Sequence, residues 1–396
     1  MYKKYQKAVS VSLVASMLTL SACSTQGVID GIDVMLGKKE VVSQTNEQAL
    51  TPVVVQDASQ TLTINENFSH GGYYYDKLSD VQKSIYIALY DTFVSYGKEC
   101  HLGDNDAEQI AIVYKSIVFD HPEIFYIDGF QLEYFKSEIP YYIFKPNYTK
   151  TPDEIELTKD KIDVYVNTAL CAINNNGDEY AILQQIYEYI ITTTRYDMSA
   201  PDLSSIVSVM CNGRAVCEGY AKTTMYLLQQ YGIQCTVVPG YIRKNGTAHL
   251  WNAAKINGQW YYIDTTWGDE DFENDRNAPE VRYDYLCVSE EYLAGSHQID
   301  AFVDMPKCVS MDDNYYKKSG KMVTSETDTN LAKLLKHLET DKTASFACSD
   351  AGTYQKVIDK LINRKGIFAY LNNKRVNLKY VVNSHVYSIT FWIKEE

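Results

Sequence analysis

Apolar residues recur at helical spacing over the first long block of the sequence, from Phe68 to Ile191. Ile85, Leu89 and Phe93 lie four positions apart, the period that places side chains on one helix face. This pattern predicts a mainly helical block. A short apolar run at 141–144 predicts one strand within it. A break at 174–177, rich in Asn and ending in Gly, precedes a further amphipathic helix over 181–190.

Strands and one tight turn are predicted in the middle of the chain. Residues 234–242, 248–256 and 259–265 predict three strands, and Asn257-Gly258 between the last two is a strong signal for a two-residue hairpin turn. Pairing Ile256 with Gln259 would place Thr266 opposite His249 and Asp264 opposite Trp251. All four side chains would then share one face of the sheet.

The remaining sequence predicts a small α/β segment and a division into domains. Leucines within 331–338 and apolar residues within 357–362 predict two helices, and 376–382 and 386–393 predict two strands. We expect a mainly helical domain over 61–180, a catalytic domain over 181–300 and a small α/β domain over 301–396. Neither internal repeats nor glycine-rich phosphate loops occur in the sequence.

The N-terminus has the features of an export signal. Lys3, Lys4 and Lys7 precede an apolar stretch over 8–20 that is too short to span a bilayer. Leu20-Ser21-Ala22-Cys23 then resembles the bacterial lipobox, whose cysteine becomes the lipidated first residue of the mature protein. We therefore expect residues 1–23 to be a lipoprotein signal with Cys23 as the lipidation site, and 24–60 to be a flexible tether. An ordinary cleavable signal is the alternative.

Charge and cysteine content disfavour two classes of protein, nucleic-acid-binding proteins and disulfide scaffolds. The 37 basic and 51 acidic residues give a net charge of −14, which disfavours nucleic acid as a partner. Nine cysteines in 396 residues are too few for a disulfide scaffold. The 34 tyrosines suit half-buried surfaces and specify no chemistry.

The candidate catalytic residues are Cys217, His249 and Asp264. Cys217 starts a helical apolar stripe with Ala221, Met225 and Leu228, and the positive end of a helix favours a thiolate. The predicted hairpin makes His249 and Asp264 diagonal neighbours, within reach of an imidazole–carboxylate hydrogen bond. A sulfur nucleophile, a base and a residue that orients the base are the parts of a catalytic triad.

Three separated motifs resemble those of the transglutaminase-like superfamily, particularly its bacterial lipoprotein and cytokinesis-protein-like branch. They are Arg214-Ala215-Val216-Cys217-Glu218-Gly219-Tyr220, His249-Leu250-Trp251-Asn252 and Asp264-Thr265-Thr266-Trp267-Gly268. The resemblance implies that Cys217 is the nucleophile, His249 the base and Asp264 the residue that orients it. Many relatives carry a Gln or Asn oxyanion donor about a dozen residues before the cysteine. This sequence has Ser204, Ser205 and Ser208 in that stretch.

The resemblance covers roughly residues 181–270 and implies a papain-like core of a helix packed on an antiparallel sheet. With the predicted helical domain before it and the small α/β domain after it, the expected fold class is α+β. The resemblance implies a thiol enzyme, and the lipobox-like N-terminus implies that this enzyme is exported and membrane-anchored at the bacterial cell surface. Such an enzyme would cleave or transfer amide bonds of protein or peptide substrates, as a protease, deamidase or transglutaminase. We expect no cofactor and no metal. Besides the substrate, the expected partners are the membrane, through the lipid anchor, and the cell wall.

Other interpretations of the same residues stay open. The triad could be idle in a surface module that binds protein or cell-wall glycan. A structural zinc site would use Cys211, Cys217, Cys235 and His249, although their spacing is unusual for zinc. A disulfide between Cys211 and Cys217 would form a redox lock. The aromatic residues near the motifs are expected to be mainly packing residues, and the acidic run 269–271 a solvated loop with calcium as a minor alternative.

Overall fold

The computed structural model describes residues 10–15, 71–103, 105–269, 278–372 and 375–394. The chain divides into two compact units. The first contains residues 1–161 and 300–304, and the second contains residues 162–299 and 305–396. The predicted lipidation site at Cys23 and the predicted tether over 24–60 lie outside the described residues. Within the described ranges, no helix is both long and apolar enough to cross a membrane.

The first unit combines helices with a four-stranded sheet in the order β1-β3-β4-β2. Its elements are β1 (Ser10–Ala15), α1 (Tyr73–Lys77), α2 (Asp80–Val94), β2 (Cys100–Leu102), α3 (Ala107–Asp120), β3 (Ile127–Phe135), β4 (Tyr141–Tyr148) and the start of α4 (Pro152–Ala172). The predicted stripe of Ile85, Leu89 and Phe93 is buried. Strand β3 was not predicted, because it lies in the block whose pattern indicated helices. The predicted strand at 141–144 is the first half of β4.

The second unit is built around a five-stranded antiparallel sheet in the order β10-β9-β8-β7-β11. Its elements up to residue 299 are α5 (Glu179–Thr193), β5 (Arg195–Tyr196), α6 (Ile206–Asn212), β6 (Arg214–Ala215), α7 (Cys217–Gln230), β7 (Cys235–Ile242), β8 (Ala248–Ile256), β9 (Gln259–Ile263), a 3₁₀ turn (Thr266–Gly268), β10 (Leu286–Val288), α8 (Glu290–Leu293) and β11 (His297–Ile299). Helix α7 packs on β7 and β8. This helix on an antiparallel sheet confirms the predicted core.

The predicted register next to the hairpin turn is confirmed, but the pairings predicted at the open end of the hairpin are not. Ile256 pairs with Gln259, and Asn257 and Gly258 have φ angles of 51° and 81°, as a type I′ turn requires. The ladder ends where Ile263 pairs with Asn252. The predicted pairings of Asp264 with Trp251 and of Thr266 with His249 are therefore wrong, because the chain leaves the strand at Asp264 and enters the 3₁₀ turn.

The rest of the second unit forms a second, four-stranded sheet in the order β12-β13-β15-β14. Its elements are α9 (Tyr315–Lys318), β12 (Met322–Val323), α10 (Thr329–Lys336), α11 (Leu338–Asp341), β13 (Thr343–Cys348), α12 (Ala351–Ile358), a π turn (Asp359–Asn363), a 3₁₀ turn (Gly366–Tyr370), β14 (Asn377–Asn383) and β15 (Ser388–Lys394). The two predicted helices and two predicted strands are present, and β13 was not predicted. The division into three domains stays a prediction.

Candidate active site

Cys217 is the first residue of helix α7 and is half-buried. The preceding residue, Val216, is the N-cap and has no side chain that accepts a capping hydrogen bond. Ala221, Met225 and Leu228 are buried below Cys217 on the predicted stripe. The thiol therefore sits at the positive end of a helix dipole, where no side-chain cap competes for the exposed backbone N–H groups.

Two polar contacts hold helix α7 against the rest of the site. The Asn252 side chain on β8 donates a 2.9 Å hydrogen bond from Nδ2 to the backbone oxygen of Ala221. The hydroxyls of Thr224 and Thr265 are 2.8 Å apart, which joins the helix to the segment just after Asp264. Both contacts are buried. They fix the start of the helix relative to strand β8, which carries His249, and to the segment after β9, which carries Asp264.

His249 and Asp264 form a close, buried pair. The Nε2 of His249 lies 2.7 Å from Oδ2 of Asp264, and the two residues are 5% and 0% exposed. The other carboxylate oxygen, Oδ1, accepts a 3.1 Å hydrogen bond from the backbone N–H of Trp267. Because Asp264 lies just beyond β9, the 3₁₀ turn rather than the predicted strand register directs its side chain to the imidazole.

The His249 ring also contacts the thiol. Its side chain hydrogen bonds with Cys217, and because Nε2 is engaged with Asp264, Nδ1 is the ring nitrogen left for the sulfur. Burial lowers the pKa of His249. The Asp264 charge and hydrogen bond, and the Cys217 contact, outweigh burial and raise the pKa to about 10. The three predicted residues are thus brought together in the order thiol, imidazole and carboxylate.

The Asp264 carboxylate is held in its ionised form although it is fully buried. Burial raises its pKa, but the charge and hydrogen bond of His249 and the hydrogen bond of His297 outweigh it, so the pKa lies below its ordinary value. His297 was not predicted, because no local pattern around it signals contact with the motifs. Its Nε2 lies 3.0 Å from Oδ2 of Asp264.

Two aromatic residues, Tyr196 and Trp267, lie near the thiol and the imidazole. The Tyr196 backbone pairs with Ala215, two residues before Cys217, and Tyr196 is 43% exposed. Burial, followed by the charges of Cys217 and Asp264, raises the pKa of the Tyr196 hydroxyl. The Trp267 ring lies 6.1 Å from the His249 ring, centroid to centroid. Trp251, Tyr220 and Tyr262 are buried packing residues, as expected.

The serines before the cysteine have structural contacts. Ser205 is the N-cap of α6 and accepts a hydrogen bond from Val207 N, and the Ser208 hydroxyl donates to backbone oxygens of Leu203 and Ser205. The Ser204 backbone oxygen accepts from Lys222. None of these contacts directs a serine hydroxyl at Cys217. The backbone N–H of Cys217 is therefore the better candidate for an oxyanion donor.

The alternative zinc site and redox lock are not formed. Cys217 is a free thiol, so no disulfide joins it to Cys211. In the described part of the chain, the group close enough to share an ion is His249, Asp264 and His297, whose donor atoms lie within 4.8 Å of one another. Cys211 and Cys235 do not belong to it. Because both imidazoles hydrogen bond with Asp264 Oδ2, we interpret this group as a hydrogen-bonded network.

A helix packed on an antiparallel sheet, with a thiol at the helix start, an imidazole on one strand and its carboxylate partner just after the next, defines a papain-like class of site. Residues 168–265 match the model of the transglutaminase-like superfamily. This part of the chain belongs to the transglutaminase-like superfamily.

The curated relatives match only a short part of this chain. The kyphoscoliosis peptidases of Mus musculus and Homo sapiens are each 36% identical to it over 62 residues, covering 13% of this chain. The chain spans 9% of the length of these relatives. Among solved structures, a TGase is 16% identical with a TM-score of 0.27, covering 38% of this chain and 47% of its own. The periplasmic domain of TgpA from Pseudomonas aeruginosa, bound to ethylmercury, is 15% identical with a TM-score of 0.23, covering 34% and 59%.

Proposed function

We propose that the protein is a thiol enzyme that cleaves or transfers amide bonds of protein or peptide substrates. The observation that carries this proposal is the contact of one imidazole, His249, with both the Cys217 thiol and the buried Asp264 carboxylate. A sulfur nucleophile needs a base to take its proton and a fixed orientation of that base. This arrangement provides both.

In the first half of the reaction, Nδ1 of His249 holds the proton of Cys217, which makes the ring an imidazolium, and the Cys217 thiolate attacks the amide carbonyl carbon. The carbonyl oxygen becomes an oxyanion, which the Cys217 backbone N–H at the start of the helix would stabilise. The intermediate then collapses, the C–N bond breaks and the leaving amine takes the proton from His249. An acyl thioester remains on Cys217.

In the second half, His249 removes a proton from the acceptor, which attacks the thioester carbonyl. The C–S bond breaks, which releases the Cys217 thiolate beside the protonated His249 and restores the starting state. Water as the acceptor gives hydrolysis or deamidation, and an amine gives transamidation. We favour water, because no residue around Cys217 in the described ranges marks an amine site. This reaction needs no cofactor or metal ion.

We also propose that the protein is exported and anchored at the bacterial cell surface by a lipid on Cys23. This proposal rests on the charged start, the apolar stretch and the Leu20-Ser21-Ala22-Cys23 sequence. Cleavage before Cys23 would remove residues 10–15, so strand β1 would belong only to the precursor. Radiolabelled palmitate should label the wild-type chain in bacterial cells but not Cys23→Ala, and labelling of both would contradict the anchor.

Alkylation of Cys217 by iodoacetamide, followed peptide by peptide with mass spectrometry, tests the catalytic proposal. Cys171 is exposed and serves as an internal reference thiol. At pH 6 an ordinary thiol is about 0.3% ionised, so Cys217 should react about tenfold or more faster than Cys171. His249→Ala should remove this advantage. Equal pH profiles for Cys217 and Cys171 in the wild type would overturn the proposal.

A second measurement identifies the donor. Intact-mass spectrometry after incubation with glutamine-containing and peptide-based acyl donors should show a covalent adduct on the wild type and none on Cys217→Ala. The adduct mass separates attack on a side-chain amide from attack on a peptide bond. If no donor forms an adduct and Cys217→Ala matches the wild type in binding, the idle surface module is the better account.

A further inference from the structure

Asp264 has two histidine partners. Nε2 of His249 and Nε2 of His297 lie 2.7 and 3.0 Å from the same oxygen, Oδ2. The second histidine lies on the edge strand β11, 48 positions after His249, and is 2% exposed. The triad chemistry uses only the first of these contacts. A fully buried hydrogen bond to a charged group is worth more than one between neutral groups, so the second contact requires an explanation.

The hydrogen bonds around His297 determine which of its nitrogens carries the proton. Burial lowers the pKa of His297 and outweighs the opposing effect of Asp264, so the ring is neutral at pH 7. An ionised carboxylate only accepts, so Nε2 of His297 carries the hydrogen. Nδ1 then accepts from the Ser296 hydroxyl, 2.8 Å away, a shorter contact than the 3.3 Å from the same hydroxyl to the Leu293 backbone oxygen. The Ser296 hydroxyl in turn accepts a 3.0 Å hydrogen bond from Tyr285. With this assignment, the hydrogen bonds run from Tyr285 through Ser296 and His297 to Asp264.

The His297 ring is enclosed by other rings. The centroids of Trp267, Trp251 and Tyr285 lie 4.6, 5.0 and 5.2 Å from it. The titratable groups near it are Asp264, His249, Tyr285 and, in the β14–β15 turn, His385. With such packing the ring has little freedom to turn, so its N–H stays directed at the carboxylate.

We propose that His297 is a positioning residue that holds the Asp264 carboxylate toward His249, with its proton fixed on Nε2 by the row of hydrogen bonds from Tyr285 through Ser296. His297 acts through Asp264 and does not touch the reacting sulfur. Without its N–H, one lone pair of Oδ2 is left without a partner, and the carboxylate is free to turn from His249. The imidazolium then loses part of its counter-charge, and the thiolate is formed less readily at low pH.

This inference rests on the proposed function, and the same alkylation assay separates the two. In His297→Ala, Cys217 should alkylate about tenfold more slowly at pH 6, the size expected for losing one hydrogen bond to a charged group. The whole pH profile should move toward that of Cys171. In His297→Gln the side-chain amide can donate to Oδ2, so the profile should stay within a few-fold of the wild type, an order-of-magnitude expectation from keeping that bond.

A matched pair of variants tests the row of donors without opening a cavity at the histidine. Tyr285→Phe removes the hydroxyl that donates to Ser296, while Tyr261→Phe removes the similar buried donor to Ser310 at 3.1 Å, outside the row. Tyr285→Phe should shift the Cys217 profile in the same direction as His297→Ala, and Tyr261→Phe should not. If His297→Ala fails to fold, this pair of variants still tests whether the row of hydrogen bonds through His297 positions Asp264.

Three results would overturn the role of His297 while leaving the triad intact. One is a wild-type profile in folded His297→Ala, and another is an equal loss in His297→Ala and His297→Gln. The third is an equal effect of Tyr285→Phe and Tyr261→Phe. By contrast, wild-type Cys217 reacting no faster than Cys171 would overturn the proposed function itself.

Discussion

Asp264 and His249 are removed from water, yet each keeps the charged form that water would otherwise solvate. Burial alone favours neutral forms of both. Their contact reverses this: the pKa of His249 rises to about 10, and that of Asp264 falls below its ordinary value. The pair is therefore an imidazolium and a carboxylate around neutral pH. Such a pair contributes to stability as well as to the proposed chemistry.

The His249 shift predicts how stability depends on pH. A group whose folded-state pKa is raised contributes fully below its unfolded pKa, about 6.5, and the contribution is lost as pH rises through about 10. The stability difference between wild type and His249→Gln should therefore shrink from pH 6.5 to pH 10, by on the order of a few kcal/mol. Urea unfolding at several pH values measures it.

Comparison with the variant serves as the control, because tyrosines and lysines elsewhere titrate in both proteins and cancel. A difference in unfolding free energy that stays constant from pH 6.5 to pH 10 would contradict the paired charges. A difference that grows with pH would reverse the sign of the proposed interaction.

At the scale of elements, strand β7 lies between the two strands that carry the histidines, β8 with His249 and β11 with His297. Gly240 pairs with His249 of β8 on one side and with Ile299 of β11 on the other. A Cβ atom at Gly240 would lie 2.1 Å from the Gln298 backbone oxygen and 2.5 Å from Cη2 of Trp251. The absence of a side chain at this position lets β11 and Trp251 approach, and with them the ring of His297.

Gly240→Ala should therefore push β11 away from β7. We expect a loss of stability of roughly 1–3 kcal/mol, typical of overpacking, and slower alkylation of Cys217 at pH 6. Gly246→Ala is the control, because it lies in the β7–β8 loop with no atom within 4 Å of its Cβ, although its φ of +69° also carries strain. It should lose stability without slowing alkylation. Equal rates of Cys217 alkylation in Gly240→Ala and Gly246→Ala would show that Gly240 does not position the site.

At the scale of the whole molecule, the second compact unit joins the catalytic sheet to the C-terminal sheet. Val386, in the turn between β14 and β15, is 0% exposed and packs in a cluster with Trp251, Tyr262 and Tyr285. Its backbone oxygen accepts a hydrogen bond from the Tyr292 hydroxyl. The C-terminal hairpin thus contributes Val386 to the core that contains Trp251 and Tyr285.

Val386→Asp should destabilise the catalytic sheet, because it buries a charge without a partner, and burial of a lone carboxylate costs at least several kcal/mol. Val382→Asp is a matched control on β14 of the same hairpin, where the side chain is 40% exposed. We expect a large fall in melting temperature and loss of selective Cys217 alkylation for Val386→Asp only. Similar melting temperatures for the two variants would contradict a shared core.

The sequence by itself determined the parts of the site that local signals control. A small set of neighbouring residues sets the start of α7 at Cys217, and Asn257-Gly258 sets the register of the β8–β9 hairpin. Helical and alternating patterns depend on the same short range, so the core of a helix on a sheet was also predictable.

Only the tertiary structure decided the contacts between distant segments. Strand β9 ends at Ile263 because the 3₁₀ turn and the packing around Asp264 override the alternating pattern. Strand β11 brings His297 to Asp264, and the β14–β15 turn brings Val386 to the core that contains Trp251 and Tyr285, across separations of 33 residues and more. No short pattern encodes such pairings, since they depend on which surfaces become buried together when the whole unit folds.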